Sequence, residues 1–244
     1  MIRTIEELAL NAWPSLQVVL VDGWVLRFAN GYTRRSNSVN PLYPSCHPLA
    51  EKVAICERLY QGKGLKPVFK MTAASCPEDL DAFLAAQGYQ TEALTSVKTM
   101  DLNNWDLSRI PAIGLAEAIP EEWFGAFCRM SGLASRHHST AWQVLRSIVP
   151  VAGFASICHG REIIACGLGV VQGGHVGLFD VVTDTRYRRQ GYGQRLVQGL
   201  LIWGKKQGAH TAYLQVMVDN EPALRLYSTL GFQERYRYWY RVKA

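Results

Sequence analysis

The sequence predicts an α/β chain of the α+β kind, with sheet and helices arranged in two related halves. Near residue 150 the apolar spacing changes from helical to strand-like, and three β-rich runs precede the next helix. The elements of the first hundred residues also repeat, in order and in length, those that close the chain. Its 244 residues, 48% hydrophobic and 19% charged, leave room for two domains of ordinary globular composition.

Met1–Glu7 reads as the first turn of a helix, reaching two acids early without a charged-then-apolar leader, which favours a cytoplasmic location. No run approaches the roughly 18 apolar residues of a membrane span, so no membrane partner is expected. Trp24–Ala29 predicts a strand. The polar stretch Gly31–Asn40 after it reads either as the lining of an acceptor cleft or as an ordinary loop with exposed arginines. A helical segment then runs to Gly64, followed by a strand at Lys66–Met71 and a proline-opened helix at Pro77–Ala86.

Residues 102–119 are rich in turn formers and predict a connection between halves. Glu121–Met130 and Thr140–Ile148 predict helices, the first opened by Pro120 and the second stopped by Pro150. Ala152–Cys158, Ile163–Val171 and Val176–Thr183, separated by His159-Gly160-Arg161 and Gly173-Gly174, predict an antiparallel meander. Gln194–Lys206 is a helix with Leu196, Val197, Leu200, Leu201 and Trp203 on its apolar side, and Gly208 stops it. Tyr213–Met217 predicts a strand, Pro222–Leu230 a helix, and Phe232–Val242 an aromatic strand that either pairs with a partner or packs internally. The oligomeric state is left open, a homodimer included.

The repeat is one of spacing more than identity. His47 stands 17 positions before Gly64, and Gly191 stands 17 before Gly208. Each glycine is followed by a strand, a proline-opened helix and a Gly-aromatic pair, Gly88-Tyr89 after 24 positions and Gly231-Phe232 after 23.

Six cysteines lack any C-x-x-C spacing, so a reduced compartment accounts for them, with Cys56, Cys158 and Cys166 expected in the core. No metal site is expected. The net charge of +6 suits a polyanionic small molecule. A nucleic-acid partner is not expected, because no aromatic-basic repeat accompanies the charge.

Arg186-Tyr187-Arg188-Arg189-Gln190-Gly191-Tyr192-Gly193-Gln194 lies between a predicted strand and helix. A helix N-terminus offers unpaired N–H groups and partial positive charge, glycines let the backbone approach an anion, and arginines pair with phosphate oxygens. Taken alone, this is also an ordinary turn with two solvated arginines. It is no mononucleotide P-loop, lacking Gly-Lys-Ser/Thr, and no good dinucleotide fingerprint.

Arg188-x-x-Gly191-x-Gly193 resembles the Arg/Gln-x-x-Gly-x-Gly/Ala signature of the GNAT superfamily of N-acetyltransferases. Asn220-Glu221-Pro222-Ala223-Leu224-Arg225-Leu226-Tyr227-Ser228-Thr229-Leu230-Gly231-Phe232 is similar to that family's N-x-x-A-x-x-L-Y-x-x-x-G-F segment. The resemblance covers residues 112–244 and implies a GNAT fold, a mixed central sheet flanked by helices. With the repeat, it implies a tandem of two GNAT-like units: a degenerate one at 1–101 and a catalytic one at 112–244.

It further implies acetyl-CoA as acyl donor, lying between two parallel strands that splay apart, Val176–Thr183 and Thr211–Met217. Main-chain groups of Val181, Val182 and Thr183 would pair with the pantetheine arm. Backbone N–H groups across Arg188, Arg189, Gln190, Gly191, Tyr192, Gly193 and Gln194 would hold the pyrophosphate, and Asn220 would touch the cofactor. Tyr227 matches the tyrosine that protonates the departing thiolate, its other reading being a core ring. Gln215 stands where some relatives carry a glutamate base. Asp180 is the acid best placed as base, and equally readable as a structural aspartate. Arg136-His137-His138-Ser139 falls where the family builds part of its acceptor pocket, and reads more simply as exposed loop. The first half lacks the cradle, since Cys46-His47-Pro48-Leu49 stands where Gln190-Gly191-Tyr192-Gly193 stands in the second. One cofactor site per chain follows. The activity implied is acetyl transfer to a primary amine of a small molecule or peptide, the alternative being a non-catalytic acyl-CoA sensor.

Overall fold

The structure, a computed structural model, describes residues 1–105 and 112–243. Its first elements are α1 (Ile2–Ala12), β1 (Gln17–Val21), β2 (Trp24–Phe28), β3 (Val39–Asn40), α2 (Leu49–Gln61), β4 (Val68–Thr72), α3 (Leu80–Ala86) and β5 (Tyr89–Asp101). The later ones are β6 (Gly114–Ala116), α4 (Glu121–Ser131), α5 (His138–Arg146), β7 (Val151–His159), β8 (Glu162–Gln172), β9 (His175–Thr183), α6 (Tyr192–Lys206), β10 (Thr211–Met217), α7 (Glu221–Thr229) and β11 (Gln233–Lys243). The predicted elements of the second half recur within two or three residues. The strands β1, β3, β5 and β6 are additions to what the sequence predicts. Part of the expected connection, 106–111, lies outside the described residues.

The chain divides into two compact units, Met1–Ser96 with Tyr236–Ala244, and Val97–Arg235. The sequence predicts a first domain that ends at 101 and keeps the closing strand with the second half. In the structure the last residues of β11 go with the first unit.

In the first unit the strand order is β1-β2-β3-β4-β11. The hairpin β1–β2 closes on Val21 opposite Trp24, through Asp22 and Gly23 at φ 43° and 82°. An Asp-Gly pair with both φ positive is the turn that matches strand twist. β3 runs antiparallel to β2 and parallel to β4, and β11 runs antiparallel to β4 from Tyr238–Thr72 to Val242–Val68. Tyr236, Tyr238 and Tyr240 are buried, so the aromatic strand packs internally. Trp24, Phe69 and Tyr89 meet edge to face in the core.

This unit also buries charge. The ammonium of Lys70 pairs with Glu6, whose other oxygen accepts from the Tyr236 hydroxyl at 2.7 Å. Arg27 is held by carbonyl oxygens of Leu10, Trp13 and Arg35. The polar stretch 31–40 turns out to be built into the fold. Asn37 Oδ1 accepts from the N–H of Ala29 and Gly31, and Ser36 Oγ donates to Pro14 O. Arg34 pairs with Glu92, and Arg35 lies over the Trp13 ring.

In the second unit the order β10-β9-β8-β7-β6 is antiparallel except for β9 and β10, which are parallel. The pair β3–β4 repeats that parallel step, so the repeat read from spacing is also one of topology. Helix α6 lies close on the sheet because glycines admit it. A Cβ on Gly169 would stand 2.8 Å from the Trp203 ring and 3.1 Å from Leu200, and one on Gly153 would also meet Trp203 at 2.8 Å. Cys56 and Cys166 are buried as expected. Cys158 is exposed, because it sits where β7 runs out of the core.

Gly169→Ala should destabilise the protein by about 1–3 kcal/mol through overpacking against Trp203, read as a lowered midpoint in urea unfolding. The paired change Gly169→Ala with Trp203→Phe should recover part of that loss.

Candidate active site

The parallel ladder of β9 and β10 runs from His175–Thr211 to Leu178–Leu214. Residues 179–183 and 215–217 lie beyond its last pair, where the two strands part. A bulge marks the same point. The β8–β9 register slips between Cys166–Val182 and Leu168–Phe179, and Asp180 takes φ 52°. A bulge bends its strand and increases local twist, which turns β9 away from β10. Gly167 lies opposite, where a Cβ would press on Leu196 at 3.2 Å and Val181 at 3.3 Å. The sequence predicts 176–183 as regular strand, without the bulge. The glycines at 153, 167, 169 and 177 inside strands were the available signal.

After Thr183 the chain makes a short 3-10 turn at Thr185–Tyr187 and enters α6. Arg189 (φ 61°) and Gly191 (φ 81°) are left-handed, and Gly191 caps α6 with no side-chain bond to its first N–H groups. Arg195 N donates to Gly191 O at 3.0 Å, so the helical ladder begins there and Tyr192, Gly193 and Gln194 precede it. The geometry of an anion cradle is therefore present: N–H groups of a 15-residue helix, left-handed residues in front of it, and four arginines at 186, 188, 189 and 195.

The structure brings several predicted residues together. Arg188 Nε donates to Thr183 O at 3.2 Å. A Cβ on Gly193 would lie 3.5 Å from Thr183 Oγ1 and 3.7 Å from Leu226, so the end of β9, the start of α6 and helix α7 adjoin. Val181, Val182 and Thr183 are half-buried on the parted stretch of β9, and Arg188, Arg189 and Gln190 are exposed. Gln190 Nε2 reaches Arg186 O at 3.4 Å. Tyr227, 8% exposed, packs edge to face on Phe232 and joins the cluster of Leu196, Leu200, Leu214 and Val216. Asn220 is the N-cap of α7, its Oδ1 accepting from Ala223 N at 3.3 Å, and Pro222 stands in the first turn. Its carbonyl oxygen is thus engaged in the fold.

The loop is braced at its base. Asp184 accepts from Arg186 N at 3.0 Å and from Nε and Nη2 of Arg186 at 3.0 and 2.8 Å, and Arg186 Nη2 also reaches Glu162 at 2.5 Å. These bonds hold the Asp184 carboxyl down to about 2 and push the Arg186 guanidinium higher still. The histidine pair is not an open loop. Ser135–His137 forms a 3-10 turn, His138 opens α5, and His138 Nε2 lies 3.0 Å from Leu133 O. Both histidines are half-buried.

Across residues 1–241 the chain matches the family model described as "Probable histone acetyltransferase Rv0428c C-terminal". The chain belongs to that family. It is 29% identical over 248 residues to the "Uncharacterized N-acetyltransferase YobR" of Bacillus subtilis, covering 99% of this chain and 98% of that protein. It is 23% identical to the "Probable histone acetyltransferase Rv0428c" of Mycobacterium tuberculosis, covering 95% of this chain and 70% of that protein. Among solved structures, a GCN5-related N-acetyltransferase from Kribbella flavida superposes with TM-score 0.70 at 16% identity, covering 99% of this chain and 95% of that one. The fold is the GNAT fold, and the chain is an N-acetyltransferase of the GNAT kind. No helix among the described residues is long and apolar enough to cross a membrane.

Asp184 supplies a pH test of the loop. Because its folded pKa is depressed below the ordinary 3.8, its contribution to stability is complete above that value and is lost as pH falls toward 2. Carboxyl NMR titration should find its midpoint near 2 in the parent protein and higher, but still below 3.8, in Arg186→Met, where the backbone N–H of residue 186 still donates to it.

Proposed function

We propose that this N-acetyltransferase uses acetyl-CoA and acetylates a primary amine of a small molecule or peptide. One observation carries the reading: the parallel strands β9 and β10 part beyond Leu178 and Leu214 directly before a helix N-terminus led by left-handed Gly191. A strand freed from its neighbour offers main-chain N–H and C=O groups to an extended pantetheine amide chain. The helix terminus, with Arg188 and Arg189, offers donors to a pyrophosphate. The residues present therefore fit the acyl donor. Val181, Val182 and Thr183 take the pantetheine arm, and the N–H groups of Arg188, Arg189, Gln190, Gly191, Tyr192, Gly193 and Gln194 take the pyrophosphate. Asn220 contributes its side-chain amide nitrogen, since its oxygen caps α7.

When bound, acetyl-CoA supplies an acyl carbon activated as a thioester. The chain's own residues manage the protons. An ammonium acceptor has no lone pair, so Asp180, set by the bulge at the point where the strands part, removes its proton. Tyr227 donates its phenolic proton to the sulfur that leaves and takes one back from the newly acylated nitrogen, and its packed ring fixes where the hydroxyl stands. Arg136–Ser139, the turn between α4 and α5, is the candidate for part of the acceptor side.

Calorimetric titration with acetyl-CoA should give one site per chain, and Gly191→Glu should abolish it. Any side chain at φ 81° costs about 1–2 kcal/mol, and a carboxylate would face the phosphates. Tyr227→Phe should lower kcat by about 10²-fold or more while acetyl-CoA affinity holds. Asp180→Asn should remove the acidic limb of the pH–rate profile. Equal loss of acetyl-CoA affinity in the Gly191 and Tyr227 variants would refute the division of roles.

A further inference from the structure

The loop that opens α2 aligns with the cradle that opens α6: Cys46 and His47 stand where Gln190 and Gly191 stand. Both loops follow a strand and feed a helix that leads to a second, parallel strand. In the first unit the backbone donors of this loop already hold an anion. Asp22 Oδ2 accepts from Cys46 N and His47 N, both at 2.9 Å, and from Ser45 Oγ at 2.8 Å. Asp22 Oδ1 accepts a further, longer bond from Cys46 N at 3.2 Å. Two successive N–H groups and a hydroxyl converging on one oxygen are the donor set that a phosphate oxygen takes.

The counter-charge is present too. Lys52, whose side chain is fully buried, lies one turn into α2 with its ammonium 3.4 Å from the Asp22 carboxylate and 2.7 Å from Ser45 Oγ. It also donates to Asp22 O and sits 4.1 Å above the Trp24 ring. A buried ammonium requires such partners, since removing either charge would leave the other unpaired. The donor that delivers the carboxylate is the β1–β2 turn. Asp22 and Gly23 are both left-handed, and a Cβ on Gly23 would collide with the carbonyl oxygen of Pro44. Tyr43 N completes the clasp by donating to Gly23 O at 3.2 Å.

We infer that the Asp22 carboxylate is an internal ligand filling the anion site of the first unit, so that its cradle is closed to phosphates by the chain's own anion. Loss of glycines is then only part of why this half takes no acyl donor. The hairpin turn took over the site, and Lys52 neutralises it. The inference rests on bonds among residues 22–52 and stands independently of acetyl-CoA binding by the second unit.

Chemical rescue tests it. Asp22→Ala should lower the melting temperature by several degrees. Added formate or inorganic phosphate should restore much of that loss beyond what chloride of equal ionic strength does, while leaving the parent protein unmoved. The rescue should vanish in Asp22→Ala with Lys52→Met. Equal response of parent and variant to these anions, or none in the variant, would overturn the inference. Should Asp22→Ala fail to fold, Asp22→Asn serves, read by amide hydrogen exchange. Faster exchange at Cys46 and His47 relative to the rest of the unit supports an anion-held loop, and unchanged exchange overturns it.

Discussion

Asp180 sits at φ 52° within a strand that is otherwise regular, and the ladder to β8 slips beside it. The extra residue bends β9 after Leu178, so β10 loses its partner there and the main chain of 179–183 is released. The same bend aims Thr183 at Gly193 and lets Arg188 reach back to the Thr183 carbonyl. The parted strands, the helix N-terminus behind them and the proposed base thus share one local distortion. A bulge of this kind is held only where its surroundings over-determine it, and Gly167 opposite, pressed by Leu196 and Val181, is part of that setting.

The two units solve the problem of a core differently. The second is nearly all apolar, with Leu196, Val197, Leu200 and Leu201 of α6 buried against the sheet and Trp203 laid over glycines. The first buries Glu6, Arg27, Lys52 and Lys70, each engaged by specific partners. Buried charges with full sets of partners fix one arrangement and penalise its alternatives. The first unit therefore trades adaptable packing for a scaffold of directional bonds.

Much of the second unit was legible in the sequence. Its strands have sharp glycine punctuation, its helices have proline starts and glycine stops, and the Arg188–Gly193 and Asn220–Phe232 segments carry a family resemblance. What stayed hidden were features decided by non-local geometry. The bulge at Asp180 is signalled only by glycines in the strands around it, because an aspartate in a strand reads the same with either sign of φ. The exposure of Cys158 depends on where β7 leaves the core, which apolar neighbours in sequence do not reveal. The short strands β1, β3 and β6 lacked enough residues for a period to show. The polar stretch 31–40 offered two readings because its bonds run to Pro14, Ala29 and Glu92, none of which the stretch itself identifies.

The allocation of β11 has a consequence for synthesis. The strand that lies beside β4 in the first unit is made only after the whole of the second unit, Val97–Arg235. A nascent chain usually settles from its N-terminus as it emerges, yet here β4 has its neighbour along that edge only after Lys243 has left the ribosome. Until then the backbone donors and acceptors of Val68–Thr72 stand as an open edge beside a buried-to-be Lys70. The unit begun first is the unit that must wait, and Tyr238–Val242 decide when its edge closes.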